Sequence, residues 1–278
     1  MPIIIPGSKA APTRRRSQVR KRRRREPPMG TKSFEFDGTS DYVSQTNTGI
    51  GYFGMNDSNM GPWTVAMWFK TSYDTNYQWL WGIYDSTNGE WSRFLLGIRS
   101  SAYTILFQMS GTPFGWDGTM GIGSSGGAPY LGQADGTSSN ALCDGNWHHV
   151  ATTCEGVAGS GKVKVYVDGA LVSVGTQGTS VTDPDRTHRV GGYNHNNTLN
   201  INGNVAQLAL IKSELSAADI AALYNNGNGR TPAAYSPYQW YQFGDNPSDT
   251  PTLVVDNGSS GVNFTGYGPP TIVTDAPP

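Results

Sequence analysis

Lys162-Val-Lys-Val-Tyr-Val-Asp-Gly-Ala-Leu-Val172 decides the fold class of this chain. Val163, Val165 and Val167 fall on one face of an extended segment, and Lys162, Lys164 and Tyr166 on the other. That period of two belongs to a half-buried strand. Asp168-Gly169 offers the positive-φ positions of a two-residue hairpin turn, and Ala170-Leu-Val begins the return strand. Working outward, segments rich in β-branched and aromatic residues recur between turn residues on both sides. Upstream they are Ser33–Phe36, Asp41–Ser44, Trp63–Lys70, Gln78–Tyr84, Arg93–Arg99, Tyr103–Met109 and Trp147–Cys154. Downstream they are His188–Val190 and Val205–Lys212. One helix is expected, opened by the N-cap Ser216 with Asp219 at its third position. Ile220 and Leu223 supply its apolar stripe, and Asn225-Asn-Gly227 ends it. Many strands, one short helix and no strand–helix alternation predict an all-β, two-sheet antiparallel sandwich of jelly-roll type.

The charge is divided unevenly. Nine of the twelve residues from Arg14 to Arg25 are basic, in a chain whose formal net charge is −1. Residues 1–30 hold ten bases and one acid, a net +9, and the other 248 residues hold ten bases and 20 acids, a net −10. Like charges at that density cannot pack a core, so residues 1–30 are expected to form a disordered or extended arm, closed by Pro27-Pro28 and Gly30. The sandwich is then expected over 31–278. Arg14, Arg15, Arg16, Arg20, Lys21, Arg22, Arg23, Arg24 and Arg25 are the candidate nucleic-acid-binding residues, because Arg forks suit phosphate oxygens and counterion release strengthens the contact. A nuclear-localisation signal, an organelle transit peptide or a solvated tail are the other readings of the arm. No stretch approaches the roughly 18 apolar residues of a membrane span, and Ile3-Ile4-Ile5 is too short for a secretory core. Cys143 and Cys154 flank one strand, too far apart to bridge, and are expected as free thiols.

Several segments, taken together, resemble the laminin-G-like branch of the concanavalin A-like lectin/glucanase superfamily. Phe34-Glu-Phe-Asp-Gly-Thr-Ser-Asp-Tyr-Val43 is similar to its opening strand pair, and Trp63–Lys70 to its second strand. Asp144-Gly-Asn-Trp-His-His-Val-Ala151 is similar to its "DGxWHHVA" signature, Val165-Tyr-Val-Asp-Gly169 to its hairpin, and Val205–Gly227 to its closing strand and helix. Trp240-Tyr-Gln-Phe-Gly-Asp245 and Val254–Gly261 look like the strand and turn that commonly precede the opening pair, here moved to the end. The tail, 231–278, either begins a cut-off second copy or pairs back beside Ser33–Phe36 as a displaced edge strand; the second is expected, because two strands alone would have no core. The layout resembles laminin-G-like proteins encoded in marine viral genomes, and an arm of this kind before a jelly roll resembles small viral capsid proteins. The resemblance implies a non-enzymatic viral structural protein, capsid or capsid-attached, found in the virion. Assembly would take place in a host intracellular compartment, the nucleus among the candidates. Its partners would be packaged nucleic acid and other copies or capsid proteins, with no membrane. The alternative is a carbohydrate-binding, lectin-like module for a host-surface glycan.

The candidate chemistry follows. Hydrolases of this superfamily need paired acids facing one sugar, and the chain has a single E-x-D, Glu35 and Asp37, so no catalytic residue is assigned. His148 and His149 are adjacent on a strand and leave opposite faces, so they cannot chelate one ion; no metal ligand and no cofactor is assigned. Calcium, which many relatives bind through loop oxygens, could be offered Asp37, Asp41, Asp144, Asn146 and the Asn194–Asn197 loop. Trp91, Trp116, Tyr130 and Tyr193 lie in or beside loops and are the candidate glycan-stacking residues, burial in subunit contacts being the equal alternative; Trp63, Trp68, Trp79 and Trp147 are expected in the core.

Overall fold

The structure is a computed structural model and describes residues 29–47, 61–73, 78–85, 92–99, 104–109, 142–157, 160–176, 186–192 and 199–278. The strands are β1 (Ser33–Asp37), β2 (Tyr42–Asn47), β3 (Trp63–Lys70), β4 (Gln78–Asp85), β5 (Ser92–Arg99), β6 (Thr104–Met109), β7 (Trp147–Cys154) and β8 (Lys162–Val167). They continue with β9 (Ala170–Thr176), β10 (Arg186–Val190), β11 (Asn202–Ile211), β12 (Gln239–Tyr241), β13 (Leu253–Val254), β14 (Phe264–Tyr267) and β15 (Thr271–Val273). Two antiparallel sheets face each other. Sheet A runs β15-β1-β11-β3-β7-β8-β9, with β12 also on β11, and sheet B runs β13-β14-β2-β10-β4-β5-β6. The core between them is closed by Phe34, Phe36, Trp63, Met67, Phe69, Trp81, Val150, Val165 and Leu210, all buried. Trp63 and Trp68 are fully enclosed and Trp79 nearly so, whereas Trp147 is half-buried at the end of β7.

Sheet A is apolar on both faces because a second layer covers its outside. Helix α1 (Ala217–Tyr224) lays Ile220 and Leu223 on Ala66, Ala151 and Tyr166. Its N-cap is Ser216, with the reciprocal Asp219 bonds of a capping box. The left-handed cap is Asn225 at φ 49°, one of the few non-glycine residues that tolerates that region. Further along the same face, Met29 and Trp68 pack together beside Tyr224. Gln207 Nε2 donates to the Met29 carbonyl at 2.6 Å. Gly30 then turns at φ 127°, where a Cβ would strike the Asp245 carboxyl, and Asp245 Oδ1 accepts the Thr31 and Lys32 amides at 2.8 and 3.2 Å. Residues 1–28, with every basic residue assigned to the arm, lie outside the described residues.

The tail serves both sheets. Gln239–Tyr241 does not lie beside Ser33–Phe36; it pairs with Leu208–Leu210 of β11, on the flank whose other half, Asn202–Val205, is taken by β1. A bulge at Gln207, φ 55°, divides the two stretches. The neighbour of β1 is Thr271–Val273 instead, and β14 adds to sheet B against Tyr42–Ser44. Phe243 and Phe264 enter the core, and Tyr241 Oη crosses to Val262 O at 2.7 Å and Gln45 Oε1 at 3.1 Å. Both cysteines are buried, and they are not joined in a disulfide.

Candidate functional site

Inner and outer faces of sheet B follow from the alternation along β2 and β10. Val43 and Val190 point into the core, so Tyr42, Ser44 and Arg189 point out. Register places Tyr42 opposite Tyr267 and Ser44 opposite both Thr265 and Arg189. The two tyrosine rings stack at 4.8 Å with 13° between their planes. The Arg189 guanidinium carbon lies 3.6 Å from the Tyr42 centroid, on a side chain that is almost wholly buried. Guanidinium and two phenols form one column, and Tyr267, 46% exposed, ends it toward solvent. Ser44 and Thr187 on the same face are buried, and Gly82, opposite Arg189, puts no side chain there. An exposed aromatic face of this kind can stack on sugar C–H surfaces.

The turn Asp37–Asp41 borders this surface. At Gly268, φ 60°, a Cβ would meet the Ser40 carbonyl, so the turn and the end of β14 pack backbone to backbone. Asp37 accepts from Thr39 N (2.8 Å), Thr39 Oγ1 (2.6 Å), Ser40 N (2.8 Å), Ser40 Oγ (3.0 Å) and Asp41 N (3.1 Å). Burial opposes its charge, but these donors overcome it and hold the carboxyl well below the usual range. Asp41 goes the other way, raised by burial and then by the neighbouring Asp37 charge. The pair offered to calcium thus spends its oxygens on the turn itself.

At the other end of β7, His148 sits between two acids, 2.8 Å from Asp168 by Nδ1 and 3.2 Å from Asp144 by Nε2. Asp144 also accepts from Asn146 N at 2.7 Å and Asn146 Nδ2 at 2.8 Å. Burial works against a charged His148, yet Asp168 and then Asp144 raise it above the ordinary value. His149 leaves the opposite face, as expected, under Trp68 and Tyr224, where burial lowers it to about 4. Glu35 is exposed on β1 between Asn204 and Thr271. Among the described residues no group of three His, Cys, Asp or Glu could hold a metal ion.

Trp91, Trp116, Tyr130 and Tyr193, and with them Asn194–Asn197, lie outside the described residues. Sequence reasoning missed the Tyr42–Arg189–Tyr267 column. Tyr42 read as part of a structural motif, and its partnership with Tyr267 depends on β14 returning beside β2. The one available signal was Tyr267-Gly-Pro-Pro270, an aromatic held at a stiff turn.

A family profile described as concanavalin A-like lectin/glucanases superfamily, of its laminin G group, matches residues 37–221. The chain belongs to this superfamily. The paired antiparallel sheets and the single capped helix accord with it. No curated protein matches the chain in sequence. Among solved structures it is similar to a "putative carbohydrate binding protein" from Bacteroides ovatus, with a TM-score of 0.59 and 17% identity over 90% of this chain. It spans 62% of that chain's length, and the likeness is one of fold. The heptameric SAP-like pentraxin of Limulus polyphemus follows with a TM-score of 0.48 and 14% identity, over 86% of this chain and 96% of the pentraxin. The CBM40 domain of Ruminococcus gnavus IT-sialidase has a TM-score of 0.47 and 13% identity, over 71% of this chain and all of that one.

Proposed function

We propose that the chain is a non-enzymatic glycan-binding module whose recognition surface is the outer face of sheet B around Tyr42, Arg189 and Tyr267. The observation that carries this reading is the stacked column with an exposed terminal ring. Superfamily membership supports it, as does the fold shared with a protein named for carbohydrate binding. Arg189 stiffens the platform from beneath and Tyr267 presents the face a sugar would cover. Glycan-array screening of the whole protein, followed by calorimetry on the best ligand, tests it. Tyr267→Ala should weaken binding about tenfold, or about 1.4 kcal/mol, while leaving the melting midpoint in place because the ring is half in solvent. Binding that is unaffected by Tyr267→Ala would move the site off this face.

A second reading concerns the arm, and rests on the +9 charge of residues 1–30. The arm binds nucleic acid without sequence preference, as the shell-building expectation requires, and Met29 with Gly30 tethers it to the outer face of sheet A. Removal of residues 1–26 should abolish most oligonucleotide affinity and flatten its salt dependence. Equal affinity in the truncated protein would reject this reading and leave the glycan reading untouched.

A further inference from the structure

Four Asn-Gly pairs fall among the described residues, beginning at Asn202, Asn226, Asn228 and Asn257. The pairing is thermolabile, because glycine has no side chain to shield its amide nitrogen from the carboxamide before it. The fold holds three of the four. Asn202 pairs with Asp37 across β1 and β11, its amide donates to Gln78 Oε1 at 3.0 Å, and its carbonyl accepts from Thr71 Oγ1 at 2.6 Å. Asn257 Nδ2 donates to the Trp240 and Val255 carbonyls at 3.3 and 3.1 Å, and Gly258 N donates to Asp256 Oδ1 at 2.7 Å. Asn228 Nδ2 donates to the Asn225 carbonyl at 3.2 Å, and Gly229 N to the Tyr224 carbonyl at 3.1 Å.

Asn226 differs. It is exposed, and its carboxamide bonds to none of the described residues. It lies in the short turn Asn225–Gly227 after α1, in the left-handed region at φ 55°, ψ 41°. Around Gly227 there is open space: a Cβ built there would have only the Tyr224 hydroxyl nearby, at 3.7 Å. The same turn seats the entry of the chain. Gly229 N bonds the Tyr224 carbonyl and Arg230 N the Leu223 carbonyl at 2.8 Å, closing the helix. A Cβ on Gly229 would strike the Met29 thioether, so Met29 rests on backbone three residues past Asn226.

We propose that Asn226 is a site of spontaneous succinimide formation, whose isoaspartate product loosens the seat of Met29. Gly227 N bonds to Asn226 Cγ, and the carboxamide nitrogen leaves as ammonia, taking with it the proton shed by Gly227 N. Water then opens the ring at either carbonyl. One opening leaves aspartate; the other leaves isoaspartate, whose main chain runs through Cβ and is one atom longer. Both products place a negative charge at the carbonyl end of α1, where the helix dipole disfavours it and the last turn holds no basic residue. The longer main chain also displaces Gly229 and Arg230 from the Tyr224 and Leu223 carbonyls, the two bonds that press this turn against Met29. None of this depends on the glycan reading.

Peptide mapping by mass spectrometry tests this on the full chain, aged in mildly alkaline buffer. Asn226 should convert at least tenfold faster than Asn202, Asn228 or Asn257, and its peptide should be labelled by a protein isoaspartate methyltransferase. In the denatured chain the four should convert at comparable rates, since the fold is what protects three of them. Asn226→Gly, which keeps the left-handed backbone, should abolish the label at this peptide. Amides of Gly229 and Arg230 should exchange at least tenfold faster in the isoaspartate form than in fresh protein. Asn226→Asp, with the charge but the ordinary main chain, should exchange there much as wild type does. Native Asn226 that lasts as long as Asn257 overturns the site, and a denatured chain that keeps the native ranking overturns the structural argument for it. Unchanged exchange at Gly229 and Arg230 in the isoaspartate form overturns the link to Met29.

Discussion

Phe243→Ala tests whether the C-terminal tail belongs to the core. Phe243 is fully buried and meets Phe34 of β1 edge-on, with ring centroids 5.5 Å apart and 73° between planes; Tyr241 lies 6.4 Å away. Truncating an enclosed phenylalanine to alanine costs about 3–5 kcal/mol, the transfer loss plus the cavity left behind. In a domain of this size 1 kcal/mol moves the melting midpoint by roughly 2–4 °C, so a fall of about 10 °C is expected by calorimetry or near-ultraviolet circular dichroism. Phe243 also sits at φ 54°, a region that costs a residue with a Cβ about 1–2 kcal/mol. Phe243→Gly removes that strain, against the roughly 0.5–1 kcal/mol by which glycine usually falls below alanine. Phe243→Gly should therefore melt no lower than Phe243→Ala, reversing the common order. A Phe243→Ala midpoint within about 2 °C of wild type would show that the tail is dispensable to the core. Glycine well below alanine would remove the backbone argument alone.

Three other expectations follow. The histidines on β7 should give stability a maximum near their ordinary value of 6.5. The contribution of His148, whose folded value is raised, is complete below 6.5 and fades as pH climbs through that raised value. His149, lowered to about 4 by burial, withdraws stability as pH falls from 6.5 toward 4, because the unfolded chain takes up a proton that the folded chain refuses. Melting midpoints against pH should flatten on the alkaline side in His148→Gln and on the acid side in His149→Phe; unchanged profiles in both would refute the assignment. Burial raises the Cys154 thiol to about 11, so Cys143 and Cys154 should react with thiol reagents only on unfolding, and fast labelling of the native protein would contradict their enclosure. No hydrolysis of common polysaccharides is expected, and activity that disappears in Glu35→Gln would make Glu35 a catalytic acid or nucleophile after all.

The strands were legible wherever local patterning dominates. Trp63–Lys70, Trp147–Cys154 and Lys162–Val167 begin and end in the structure where side-chain alternation and turn residues put them. The capped helix was equally plain, because Ser216 and Asp219 satisfy backbone groups within one turn. These features rest on neighbours a few residues apart, and a sequence displays such neighbours directly. What required the tertiary structure spans long separations. Gln239–Tyr241 found the half of β11 that β1 leaves open, a choice that depends on where β1 stops. Tyr42 and Tyr267 become one stack only when β14 returns beside β2, and Arg189 joins them only because β10 pairs with β2 on the other side. The root of the arm is set the same way: Gln207 and Asp245, far along the chain, grip Met29, Thr31 and Lys32. Sequence alone determined the strands, the helix and the separation of charge, because each is encoded by local periodicity and composition. The tail's pairing and the candidate binding face were decided by the tertiary structure, because strand order and register arise from competition among distant segments for the same hydrogen bonds and the same buried face.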